Sequence, residues 1–205
     1  FGMVALEEGS LSTRKGNVVF LEDVLDKAVQ QTLEIINEKN PNLEDKEKVA
    51  QDVGIGAVVF QELYTSRNKD YTFSLDKTLS FEGETGPYVQ YTHARVRSIL
   101  RKAGEEKLDP KLTSAPLNSK EIEIIKLLNI FPEKIKEAGK EHSPAIIANY
   151  CYDLAREFNQ YYHEVSILKE SSHEIKLQRL LLIDNISKVL CLGMGILGIT
   201  LPQRM

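Results

Sequence analysis

Six consecutive residues near the start of the chain, Ser12, Thr13, Arg14, Lys15, Gly16 and Asn17, bring together two hydroxyls, two cations and a glycine. Cations and hydroxyl donors on a permissive backbone are the groups that can hold a polyanion such as a triphosphate. The order is not that of a Walker A loop, because the Gly-x4-Gly-Lys spacing is missing. A solvated turn accounts for the same residues, and residue chemistry alone leaves both readings open.

A second group lies in "GPYVQYTHARVRSILRKA", residues Gly86 to Ala103. Val89, His93, Val96 and Leu100 form one stripe at helical spacing, and Tyr91, Arg95, Ser98 and Lys102 form another, roughly opposite. Gln90, Ala94, Arg97 and Arg101 fall between them. The segment carries four basic residues and no acid, within a chain of net charge -4. A cationic stripe with tyrosine interleaved can grip phosphates and stack bases. It can equally be a solvated face that pairs with acids elsewhere. His93 falls on the apolar side, where a hydrogen-bonded core histidine is the ordinary role.

The third group lies in Pro144 to Val165. Ile147, Cys151, Leu154, Phe158, Tyr161 and Val165 make a core stripe, and Asn149, Tyr152, Arg156, Asn159 and His163 lie on the other side. Tyr162 falls at the edge. An edge tyrosine flanked by Asn, Arg and His can read an unstacked base, or can simply pack at an interface.

Other chemistry finds no footing. The four histidines are scattered without ligand spacing, so no metal is expected. No GxSxG or other nucleophile–base motif is present. The run Glu44 to Lys48 reads as a solvated face. Net acidity argues mildly against nucleic acid, although phosphate contacts need only a local basic face. Cys151 and Cys191 sit in helical patterns outside any CxxC, which predicts buried thiols in a reducing compartment. The most apolar stretch, Leu180 to Leu201, is broken by Asp184, Asn185 and Lys188, so no membrane span is expected.

These residues need elements to hold them. With 205 residues and 42% hydrophobic side chains the chain can build one sizeable core or two small ones. Phe1 to Leu6 reads as a strand that begins in mid-architecture, which predicts a fragment of a longer protein. An extended Val18–Leu21 leads into a helix from about Glu22 to Asn40-Pro41. A second helix runs from about Leu43 to Leu63; Gly54 and Gly56 inside it predict close approach of another backbone or a ligand. Tyr71-Thr72-Phe73 is a short strand-like run. Pro87 starts the Gly86–Ala103 helix. The remainder reads as helices over about 119–129, 132–141, 144–165 and 172–197, with Ser143-Pro144 as a start signal.

The blocks "LSTRKGNVVFLEDVLDKA", "RNKDYTFSLDKTLSFEGETGPYVQYTHARVRSILRKAG" and "LGMGILGITLPQRM" resemble the C-terminal part of arginyl-tRNA synthetases, in order and across essentially the whole chain. The central block is specific and is unlike other class I synthetases, such as the cysteinyl enzyme. The resemblance implies a mainly α fold: a helical bundle, the DALR anticodon-binding domain, over residues 85–205. Before it, over residues 1–84, it implies a small remnant of the class I catalytic α/β domain with connecting helices. Ser10 to Arg14 then aligns with the KMSKS loop, in which both motif lysines are replaced here by Ser10 and Thr13. Arg14 and Lys15 are expected on the ATP phosphates, with Ser12 and Thr13 as hydroxyl partners. Tyr88, Tyr91, Arg95, Tyr162 and Met205 match family positions facing tRNA, and Gln90, Arg97 and Asn149 are expected beside them. The implied activity is ligation of arginine to tRNA(Arg) with ATP and Mg2+, in a cytoplasmic monomer. The HIGH motif and arginine pocket are not in these residues, so the chain alone is expected to be inactive. The alternative is a non-catalytic helical module, descended from a synthetase, that binds protein.

Overall fold

The computed structural model describes residues 2–6, 19–104 and 115–205. Its elements are β1 (Val4–Leu6), α1 (Leu21–Lys39), α2 (Lys46–Tyr64), β2 (Tyr71–Phe73), α3 (Leu75–Thr78), α4 (Gly86–Ala103), α5 (Ser119–Glu141), α6 (Ala145–Glu164) and α7 (His173–Ile196). The fold is mainly α, with seven helices and one two-stranded sheet among the described residues.

The strands pair in parallel, Val4 with Tyr71, Ala5 with Thr72 and Leu6 with Phe73. A parallel pair needs a long crossover, and here α1 and α2 lie between the strands in sequence. The two helices approach closely because Gly54 has no side chain. A Cβ there would lie 2.8 Å from the backbone of Ala28 and Val29 on α1. Gly54 thus meets the expected backbone, whereas Gly56 does not: a Cβ there would meet the Gln90 and Ile199 side chains, so it makes room for side chains and not for a backbone or ligand. Small cores form around this unit: Ala28, Ala57, Val58, Phe73 and Leu79 on one side, and Ile36, Val49, Ala50 and Val53 on the other.

The largest core belongs to α4–α7 with Phe60 of α2, and is centred on Val89, Val96, Ile147, Leu154, Phe158, Leu180, Ile183 and Leu190. Three helices begin on a side-chain cap. The Thr85 hydroxyl accepts from Tyr88 N at 3.2 Å, with Pro87 in the first turn of α4. Asn118 and Glu121 form a capping box on α5. Ser172 caps α7.

Two local expectations change. α5 is one helix and not two, because Pro132 sits inside it without ending it. The missing proline N–H costs one backbone bond, but Ile124 and Phe131 ahead of it are buried and Phe131 stacks on Tyr150 of α6. Tertiary packing overrides the breaker. Ser143 gives α6 no side-chain cap; Pro144 already has helical dihedrals and leads directly into the first turn.

The bundle is tied to the β unit at a helix end. The Arg67 guanidinium donates to the carbonyls of Glu141 and His142 at the end of α5, while Arg67 O accepts from Gly2 N. A cation is well placed there against the helix dipole.

Candidate nucleic-acid interface

α4 sorts its side chains as its periodicity demands. Val89, His93 and Val96 are wholly buried, while Tyr91 stays 42% exposed and Arg95 is half-buried on the outward face. On α6, Tyr161 is buried and Tyr162, one residue on, is 39% exposed with its ring stacked on Phe158. The packing of α4 on α6 brings the two outward faces together. The Arg95 guanidinium lies 4.8 Å from the Tyr91 ring centroid and 5.4 Å from that of Tyr162. It is held between two rings by cation–π attraction.

The chain end returns to this place. His93 Nδ1 donates to Pro202 O at 3.1 Å, Arg97 Nε to Gln203 Oε1 at 2.7 Å, and Arg101 to Gln203 O at 3.0 Å. These bonds fasten residues 202–203 along α4 and direct Met205 toward the α1–α2 turn. There Asn40 Nδ2 donates to the Met205 backbone oxygen at 3.2 Å, and the Met205 side chain packs on the core of Ile36, Val49 and Val53. Arg204 pairs with Glu44 at 3.2 Å. The buried His93 ring is held below its usual pKa by desolvation, so it serves as a neutral bridge. Its Nε2 lies 3.3 Å from Cys191 Sγ.

Two cavities flank Arg95. One, of about 530 Å³, is lined by Tyr91, Arg95, Ser98, Arg101, Lys102, Tyr162, Arg204 and Met205, with Glu44 as its one acidic side chain among the described residues. The other, of about 670 Å³, is lined by Ile35, Phe81, Tyr88, Asn159 and His163. Asn40, Tyr91, Arg95 and Met205 line both. Aromatic faces, apolar floor and cations without a matching number of acids can hold splayed bases beside a phosphate backbone.

Some candidate residues lie elsewhere. Gln90 is fully buried and donates from Nε2 to Asp52 O at 3.0 Å and Thr200 O at 2.9 Å. It bridges α2 and the chain end and faces no cavity, because Gly56 leaves the space it fills. Asn149 donates to Tyr64 O and Ala145 O, about 20 Å along α6 from Tyr162 at the helical rise per residue. Arg97 is turned to Gln203 and to Asp184 at 3.7 Å, so it holds the chain end. Ser12, Thr13, Arg14 and Lys15 lie outside the described residues. Cys151 is buried, its thiol pushed up to about 12 by burial. Cys191, expected to be buried, is exposed on α7. Among the described residues no cluster of three or more His, Cys, Asp or Glu could hold a metal, and no helix is long and apolar enough to cross a membrane.

Residue types and spacing did not single out Asn40, and placed Asn159 only as one of several polar residues flanking Tyr162. Asn40 reads as a helix stop, and its reach to Met205 spans 165 positions. Asn159 carries one usable signal, its place one helical turn before Tyr162 on the same face.

Comparison with known proteins agrees with this geometry. Residues 89–205 match the DALR anticodon binding domain, and residues 1–75 match the class I (R) tRNA synthetase catalytic domain. The whole chain is 51% identical to the arginine–tRNA ligase of Halothermothrix orenii and 48% identical to that of Clostridioides difficile, covering 36% of each. It therefore spans about a third of the length of these relatives. The arginyl-tRNA synthetase of Thermus thermophilus superposes over 98% of this chain and 34% of its own, at a TM-score of 0.88 and 36% identity. That of Plasmodium falciparum shares the fold over 92% of this chain and 34% of its own, with a TM-score of 0.81 at 24% identity. The chain belongs to the arginyl-tRNA synthetase family, as the end of the class I catalytic domain followed by the DALR anticodon-binding domain.

Proposed function

We propose that this chain grips the anticodon stem–loop of tRNA(Arg), and that the full-length protein ligates arginine to tRNA(Arg) with ATP and Mg2+ in the cytoplasm. The observation that carries the reading is the Arg95 guanidinium seated between Tyr91 and Tyr162, with Met205 delivered beside them. Tyr91, Tyr162 and Tyr88 offer ring faces and edges to unstacked bases. Arg95, Arg101, Lys102 and Arg204 stand around the first cavity as cations for the backbone. Met205 supplies an apolar floor. Gln90, Arg97 and Asn149 support the site through the backbone segments they hold. We place the division between the two parts at residues 84 and 85, where Thr85 caps α4.

The catalytic role rests on family membership. Arg14 and Lys15, with Ser12 and Thr13, would meet the ATP phosphates, and the arginine pocket would be supplied outside this chain. The chain by itself then supports no arginine-dependent pyrophosphate exchange.

Binding of a tRNA(Arg) anticodon stem–loop across a salt series tests the reading. If three of the four cations each meet a phosphate, log K falls against log salt with a slope of about −2, at roughly −0.7 per single-strand contact. A slope near zero would point to a protein-binding groove and reject the RNA reading.

A further inference from the structure

The site as described leaves Asn159 without a task. This residue lies on α6 one turn before Tyr162 and is only 9% exposed. Its Oδ1 accepts from Arg95, its Nδ2 donates to Thr92 Oγ1 at 2.8 Å, and Thr92 Oγ1 donates to Tyr88 O at 2.8 Å. The direction of this relay is forced. A guanidinium has donors only, so the amide must turn its oxygen to Arg95 and its nitrogen to Thr92. The Thr92 hydroxyl, accepting from that nitrogen, has its proton free for the Tyr88 carbonyl. Thr92 is wholly buried, so the relay is anchored in the α4 backbone.

Ring faces alone do not fix a guanidinium, because cation–π attraction tolerates sliding across the face. The hydrogen bond from Asn159 is directional and selects one position. That position matters because Tyr91 and Arg95 line both cavities. Together they are the wall between the two.

We propose that Asn159 is a positioning residue of the RNA site: it holds the Arg95 guanidinium in the wall between the two cavities and so sets which anticodon bases are accepted. The inference rests on the RNA-binding reading and names a residue that acts through Arg95.

The test uses the full-length protein that carries this chain. Dissociation constants are measured for tRNA(Arg) and for the same tRNA with a changed anticodon loop, and folding is followed by thermal unfolding. Asn159→Ala lowers the discrimination between the two RNAs by about tenfold, the size of coupling usual for residues in contact. In an Arg95→Ala background the same change costs nothing further. Asn159→Asp keeps an acceptor for the guanidinium, so discrimination persists while both affinities fall together with the added negative charge. Equal losses from Asn159→Ala in the two backgrounds, or no loss in either, would overturn the proposal. If Asn159→Ala fails to fold, Asn159→Asp decides, since discrimination lost there along with affinity also overturns it. A parent protein that binds neither RNA would instead overturn the RNA reading, and this inference with it.

Discussion

The substitution Gly54→Ala tests how the site is supported from beneath. In a free helix, Gly→Ala stabilises by about 1 kcal/mol through backbone entropy. Gly139 in α5 has nothing within 4 Å of a new Cβ, so Gly139→Ala should show that gain. At Gly54 the new Cβ would lie 2.8 Å from Ala28 C, Ala28 O and Val29 N. These are backbone atoms, so no rotamer change relieves them. Reaching ordinary carbon contact of about 3.5 Å requires α1 and α2 to part by roughly 0.7 Å, a gap that forfeits a quarter to a half of each contact along the seam. Overpacking of this kind costs about 1–3 kcal/mol, which exceeds the propensity gain over most of its range. We expect Gly54→Ala to be about 1 kcal/mol less stable than the parent and Gly139→Ala about 1 kcal/mol more stable. For a chain of this size that separates their melting temperatures by about 4–8 °C. The two helices also carry Asn40, which holds Met205, so Gly54→Ala should weaken stem–loop binding while Gly139→Ala leaves it unchanged. Thermal unfolding and stem–loop binding on the two variants decide it. A Gly54→Ala protein as stable as Gly139→Ala, with parental binding, would refute the argument from close helix approach.

Other consequences follow from buried polar groups. Glu121 is 2% exposed and accepts from Tyr161 OH at 2.9 Å, Arg179 Nε at 3.1 Å and Asn118 N at 2.9 Å. Glu121→Ala leaves the buried Tyr161 hydroxyl and the Asn118 N–H without their acceptor, while the half-buried Arg179 keeps Glu170 at 2.6 Å, so it should cost about 1–3 kcal/mol in urea denaturation; a loss under about 0.5 kcal/mol would show the network to be dispensable. His93 is buried and held neutral, its pKa below the usual value by desolvation, whereas in the unfolded chain it takes up a proton near pH 6.5. The unfolded state then binds more protons below that pH, so stability is full above about 6.5 and declines as the pH falls toward 5. Melting temperatures over that range should show the decline in the parent and a shallower one in His93→Gln; parallel curves would remove His93 from the account.

How much of this could be read in the residues depends on the distance over which each is constrained. α4 was legible because one helix carries both constraints: an apolar stripe facing the core and a tyrosine–arginine stripe facing out, begun by a proline. The paired glycines of α2 were legible for a related reason. They oppose helix formation locally, so something non-local must require them: the α1 backbone does at Gly54, and the Gln90 side chain, which spacing did not point to, does at Gly56. Gln90 was not legible. It sits between two stripes, and only the carbonyls of Asp52 and Thr200, 38 and 110 positions away, decide that it faces inward. Asn149 is similar: its amide is taken up by the end of α2. Pro132 misleads because a breaker is a local signal, and the burial of Phe131 against α6 is not local. Periodicity puts Arg95 and Tyr162 on outward faces of separate helices. That they meet is a property of the packing of α4 on α6, which the family resemblance implied and no spacing encodes.

Charge sorting explains how an acidic chain can offer a site to RNA. At physiological salt the field of one charge fades over about 8 Å, so a phosphate responds to its nearest side chains and hardly to the net charge of -4. Around the first cavity those neighbours are Arg95, Arg101, Lys102 and Arg204, and Glu44, the one acidic side chain there among the described residues, is already taken by Arg204. Toward α3 the sign reverses: Glu82 lines the second cavity, and with Glu34, Glu38 and Asp76 it outnumbers Lys39 in the groove between α1 and α3. A polyanion is drawn to one side of the Tyr91–Arg95 wall and repelled past the other. Bases carry no net charge and are indifferent to that boundary. A nucleic-acid loop laid here would therefore keep its backbone over the cationic cavity and turn its bases toward Tyr88 and His163, an orientation set by where the acids stand as much as by where the arginines do.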